Sequence, residues 1–94
     1  MKELNEKKDI HDVKRKQVVK SKMGRDKNRF FVVMDVKNPY VYLADGKLRK
    51  LESLKKKKIM HIAVTSSFFC MDDDKITNKS LKRFLQPFNE PKII

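Results

Sequence analysis

A chain of 94 residues has length for one domain, with a modest core and little room for a deep substrate cavity. Apolar residues make up 39% and charged residues 38%, a balance that suits a folded basic domain better than a fully disordered chain. The formal net charge is +12, and residues 17–65 alone carry thirteen basic and four acidic side chains. A cationic field concentrated in mid-chain favours a polyanion, whether RNA, DNA or an anionic membrane surface. The longest purely apolar run, residues 30–34, is far short of the roughly 20 residues of a spanning helix, so no membrane insertion is expected. The first eight residues lack the apolar core of a secretory signal. A single cysteine, Cys70, cannot form an internal disulfide, and the expected setting is cytoplasmic.

Residues 1–13 read as a flexible or weakly helical extension. Asp9 caps at most one turn through Ile10, Val13 and Lys14, and fraying is expected near the start. Residues 17–22 read as a first strand, with Val19 inward and Lys20 and Lys22 outward. Residues 23–28 form a loop in which Gly24 and Asn28 best tolerate positive φ. Residues 29–36 give the strongest strand signal. Phe30, Val32, Met34 and Val36 are all apolar, alternating with Arg29, Phe31, Val33 and Asp35, so period two assigns the even face to the core. Asn38-Pro39 interrupts the ladder, because proline has no N–H to donate. Residues 40–44 form a third strand with Val41 and Leu43 on one face.

Asp45-Gly46 carries the signature of a two-residue type I′ hairpin. It is expected to send residues 47–51 back as a fourth strand, with Leu48 or Leu51 inward. After the run Lys55–Lys58, residues 59–64 supply a fifth strand. Five short strands with tight connections point to a small closed barrel over residues 14–65. Residues 66–94 then form a loop and a C-terminal amphipathic helix. Thr77 is its N-cap, Ile76 and Leu81 make a hydrophobic staple, and Leu81, Phe84, Leu85 and Phe88 keep helical spacing. Pro87 is expected to mark its end. Asp72, Asp73 and Asp74 precede it as negative charge suited to its dipole.

Residues 18–33 (VVKSKMGRDKNRFFVV) resemble the KOW motif, a strand, a glycine-bearing loop and the next strand. The resemblance extends through residues 44–51 (ADGKLRKL) and 55–62 (KKKKIMHI), covering roughly residues 14–65. Together these segments are similar to the small bacterial KOW-domain RNA-binding proteins, relatives of the KOW ribosomal proteins of archaeal and eukaryotic large subunits. The chain departs from that pattern at Asn28, where glycine is common, and at Leu54, where proline often precedes the basic run. The resemblance implies a mainly β fold, an SH3-like (KOW) five-stranded barrel. It also implies a non-enzymatic role bound to RNA, specifically ribosomal RNA or ribosomes.

The residues themselves suit phosphate. A loop built on Gly24 lets backbone approach an anion, and Arg25, Lys27 and Arg29 place charge beside it, with Lys20, Lys22, Asn28 and His61 nearby in the predicted fold. Arginine forks onto two phosphate oxygens, whereas lysine acts as a point charge. Lys47, Arg49, Lys50, Lys55, Lys56, Lys57 and Lys58 form a second basic group. Four successive lysines on a strand cannot all face one ligand, because alternate side chains diverge. The plainer alternative for both groups is a solvated, solubilising surface. Phe31, Tyr40 and Tyr42 offer a base-stacking platform, but burial beneath the terminal helix is the favoured expectation. His11, His61 and Cys70 lack the spacing of a metal site, and Ser66, Ser67 and Cys70 lack a base partner, so neither a cofactor, a metal nor catalysis is expected. The expected partner is RNA, with a ribosomal or translation-factor protein as a further partner and a monomeric state. The alternative function is a protein-interaction adaptor of the transcription or translation machinery, since related barrels bind proteins as well as RNA.

Overall fold

The computed structural model describes residues 13–90. The expected helical turn from Asp9 lies outside them, apart from Val13, which is buried in the core, and Lys14. Five strands form one antiparallel sheet: β1 (Gln17–Ser21), β2 (Phe30–Lys37), β3 (Tyr40–Ala44), β4 (Lys55–Lys58) and β5 (Ile62–Phe68). Their order is β4-β3-β2-β1-β5, so β1 to β4 meander and β5 returns beside β1. β4 and β5 are the two edges. The expected closed barrel is therefore not formed, since closure would need these two to pair. A helix, α1 (Asn78–Asn89), follows β5 after a 3₁₀ turn at Asp73–Lys75.

The sheet has a core on each face. On one side Val13, Val19, Phe31, Val33, Val41, Leu43, Ile59 and Ile62 pack together. On the other, Val18, Val32 and Ala44 are covered by Phe69, Leu81 and Leu85, with Phe30, Met34, Phe84 and Phe88 half-buried around them. The expectation that only the even face of β2 is inward is thus corrected: Phe31 and Val33 are as fully buried as Val32. Both faces of β2 are covered, and a shift in register between Val33 and Asp35 breaks the alternation beyond that point. The extra residue inverts the alternation, so Val36 joins the odd-numbered Phe31 and Val33 on the side away from the helix.

Two loops differ from expectation for one reason, the choice of turn. The tight two-residue connection is Asn38-Pro39, a cis peptide that joins β2 to β3 with Lys37 opposite Tyr40. Asp45-Gly46 makes no such hairpin, and residues 47–51 form no strand. Instead Oδ1 of Asp45 accepts hydrogen bonds from the backbone N–H groups of Lys47 and Arg49 (3.0 and 2.7 Å). The Arg49 carbonyl in turn accepts from the N–H groups of Asp45 and Gly46. The chain curls into a loop, Leu48 is left exposed, Leu51 packs toward the helix, and the lysine run itself becomes the fourth strand. The fifth strand starts later than expected: Ile59–His61 is a 3₁₀ turn and β5 runs from Ile62.

α1 begins as expected. The Thr77 hydroxyl accepts from the Ser80 N–H, the Ser80 hydroxyl accepts from the Thr77 N–H, and Ile76 and Leu81 share the helix-side core. Pro87 lies inside the helix rather than ending it, and the last turn closes with Glu90 N–H donating to Gln86 C=O. The first turn of α1 itself contains no acidic residue. Asp73 faces Arg15 and Lys16, at 3.4 and 3.1 Å. Side-chain amides tie the start of α1 to the loop after β3 and its end to β2. Asn78 accepts from Leu51 N–H, and Asn89 both accepts from Phe30 N–H and donates to Phe30 C=O. No helix among the described residues is long and apolar enough to cross a membrane.

Gly46 is where the loop meets the helix. Its φ is +77°, and a Cβ there would overlap the carbonyl of Asn78. At Gly24, φ +92°, a Cβ would meet only Lys57 Nζ and Asp26 Oδ1 at ordinary contact distances of 3.5 and 3.6 Å. Gly24→Ala is therefore expected to cost about 1–2 kcal/mol from backbone strain alone. Gly46→Ala adds the clash to that strain and is expected to cost clearly more. Urea midpoints of the two variants measure the difference, and equal midpoints would contradict this packing.

Candidate nucleic-acid interface

The loop between β1 and β2 is built by its own polar groups. Gly24 and Asn28 both adopt positive φ, as their residue types led one to expect. Backbone bonds run from Lys27 to Gly24, from Arg29 to Asp26 and from Asn28 to Ser21. Asp26 sits at the centre, its Oδ1 2.7 Å from the Ser21 hydroxyl and 3.2 Å from Lys57 Nζ. Lys57 also donates to the Met23 carbonyl, and its side chain is only 9% exposed. This lysine thus staples β4 to the glycine loop.

Against that staple lies a cleft of about 340 Å³ lined by Gly24, Arg25, Asp26, Phe31, Leu48, Arg49, Lys55 and Lys57. Three segments remote in sequence contribute cations to it: Arg25 from the glycine loop, Arg49 from the loop after β3, and Lys55 and Lys57 from β4. Asp26 is the one carboxylate in the lining, and it is already engaged by Lys57. The cleft therefore carries an excess of positive charge beside an exposed glycine backbone. It fits an anion of phosphate size with room for adjoining groups.

The other sequence-predicted residues are distributed differently. Arg29 lies across the sheet in an ion pair with Asp45, Nε to Oδ2 at 2.7 Å, and the Asp45 side chain is fully buried. Lys47 lines the same second hollow and pairs with Glu90 at 3.2 Å. Lys20 reaches over the Phe30 ring on the helix side. Lys22, Lys27, Asn28 and Lys50 are exposed outside the cleft lining. His61 is half-buried in the 3₁₀ turn, where its carbonyl accepts from Lys22 N–H. The lysine run splits by parity, Lys55 and Lys57 into the cleft and the more exposed Lys56 and Lys58 away from it.

The aromatic residues correct a second expectation. Phe31 is buried on the face away from α1, and α1 spends Phe84 and Phe88 on Phe69 and Phe30. Tyr40 and Tyr42 belong to neither core and stay half-buried, met instead by Lys56 at 4.3 Å and Lys37 at 5.8 Å from the ring centres. Sequence reasoning did not identify Lys37, whose signal was its place opposite Tyr40 across a two-residue turn.

Burial alone would raise the Asp26 carboxyl, but the hydrogen bonds from Ser21 and Lys57 and the charges of Lys57 and Lys55 outweigh it and hold it below its ordinary value of 3.8. The folded state therefore favours the carboxylate. Its contribution is complete above about pH 4 and is lost as pH falls through the lowered value. The stability gap between the parent and Asp26→Asn should be widest near neutrality and narrow in acid. Urea titrations at a series of pH values measure it, and a gap that widens in acid would refute the assignment. Arg29→Met strands the buried Asp45 charge and is expected to cost about 3 kcal/mol of stability in the same assay. No protein-family model and no curated protein matches the chain.

Proposed function

We propose that this is a non-enzymatic RNA-binding protein of the KOW type, associated with ribosomal RNA or ribosomes, that holds the sugar–phosphate backbone in the Gly24–Arg25–Arg49–Lys55 cleft. The observation that carries this reading is the convergence of cations from three separate segments on a cleft whose only carboxylate is already neutralised. Solvated charges on a passive surface have no reason to meet around an exposed glycine. Arg25 and Arg49 supply forked donors, Lys55 a point charge, and Gly24 lets an anion approach the main chain closely.

Fluorescence anisotropy of a labelled RNA hairpin across a potassium chloride series tests the proposal. Arg25→Ala, Arg49→Ala and Lys55→Ala should each weaken binding and flatten the dependence of log affinity on log salt by about 0.7–0.9. Lys79→Ala, on the exposed side of α1, should change neither. Weak binding at low salt that is indifferent to all three cleft charges would refute it.

A further inference from the structure

The opposite side of β4 carries a second constellation. Tyr40 and Tyr42 lie two residues apart on β3 and share the sheet face of Ala44, the face that α1 covers farther along. Across the ladders, Tyr40 stands opposite Lys58 and Lys37, and Tyr42 opposite Lys56 and Asp35. Directly opposed residues in an antiparallel pair point to the same side, so two rings, three lysines and one carboxylate, Asp35, are gathered there, with Lys37 3.9 Å from Asp35 in an exposed pair. The helix does not cover them.

We propose that this surface is a subsite for unpaired nucleotides, with bases stacking on Tyr40 and Tyr42 while Lys37, Lys56 and Lys58 take the flanking phosphates. The inference rests on the RNA reading and deepens it by naming the class of RNA: a structured element with a single-stranded flank. Three observations support it. The rings are half-buried yet belong to neither core cluster, so core packing does not account for them. Lysine ammonium groups already lie over both rings, placing cations where a stacked base would bring its backbone. An exposed cation–π contact is weaker than base–aromatic stacking, so a base can displace the ammonium from the ring toward a phosphate. Finally, β4 is an edge, and its alternation aims Lys55 and Lys57 at the cleft and Lys56 and Lys58 at the tyrosines. A strand of RNA passing around that edge would meet cations on both sides.

The chain has two tyrosines and no tryptophan, so its tyrosine emission reports on this surface alone. Titration of the full chain with a single-stranded oligoadenylate should quench that emission. The quenching should survive Arg25→Ala/Arg49→Ala, which separates this subsite from the cleft. Tyr40→Leu/Tyr42→Leu should weaken single-strand binding roughly five- to hundredfold per stacked base while hairpin binding changes little, and Tyr40→Phe/Tyr42→Phe should restore it. Absence of quenching in the parent protein overturns the proposal, and so does full single-strand affinity in the leucine variant. If the leucine variant does not fold, the quenching of the parent decides alone.

Discussion

Asp45 has its carboxylate withdrawn from water and surrounded by donors. One oxygen closes the loop after β3 by accepting from Lys47 and Arg49 N–H, and the other takes the Arg29 guanidinium at the mouth of β2. Such a buried charge is tolerable only while its partners stay in place. That condition fixes the direction in which the 45–49 loop leaves the sheet. Gly46 is thereby brought against the first turn of α1, and Arg49 is turned into the cleft. Core packing on the helix side and charge placement on the other side thus depend on one ion pair.

A second pair, Lys57 with Asp26, does the equivalent work at the far side of the cleft. It links an edge strand to a loop with few apolar contacts of its own. Both pairs use a member of the basic excess for construction. The net charge therefore overstates what is free to meet a ligand: Arg29, Lys47 and Lys57 are engaged, whereas Arg25 and Lys55 form no salt bridge to a carboxylate among the described residues.

Much of this architecture was legible in the sequence. The strand at Phe30, the third strand with Val41 and Leu43 on one face, the positive-φ positions Gly24 and Asn28, and the Thr77 cap with its staple all follow from local chemistry. The misreadings share a cause, which is competition that local patterns do not contain. Asp-Gly satisfies the rule for a tight hairpin, yet the Asp45 side chain serves the loop backbone and the helix needs the space at Gly46. Four lysines have poor strand propensity, but alternation lets them pair with β3 while their ammonium groups find Asp26, Tyr40 and solvent. The run FFVVM is apolar at every position, and a register shift erased the parity that would have shown both faces covered. For the site, the basic loops were identifiable as a group. Their division into cleft-lining and structural members depended on carboxylates brought from elsewhere in the chain.

An open sheet leaves two rows of unpaired backbone groups, and the two rows are defended in unlike ways. Along β4 a neighbouring copy would have to set four lysines beside four lysines. Along β5 the ladder to β1 slips between Val19 and Gln17, where the Gln17 amide bonds the Thr65 carbonyl and the Thr65 hydroxyl bonds the Val18 carbonyl. That slip breaks the straight template that a foreign strand would copy, in the edge strand that carries no charged residue. Repulsion at one margin and irregularity at the other work against runaway strand-to-strand stacking, so the molecule can leave its sheet unclosed without inviting fibrils.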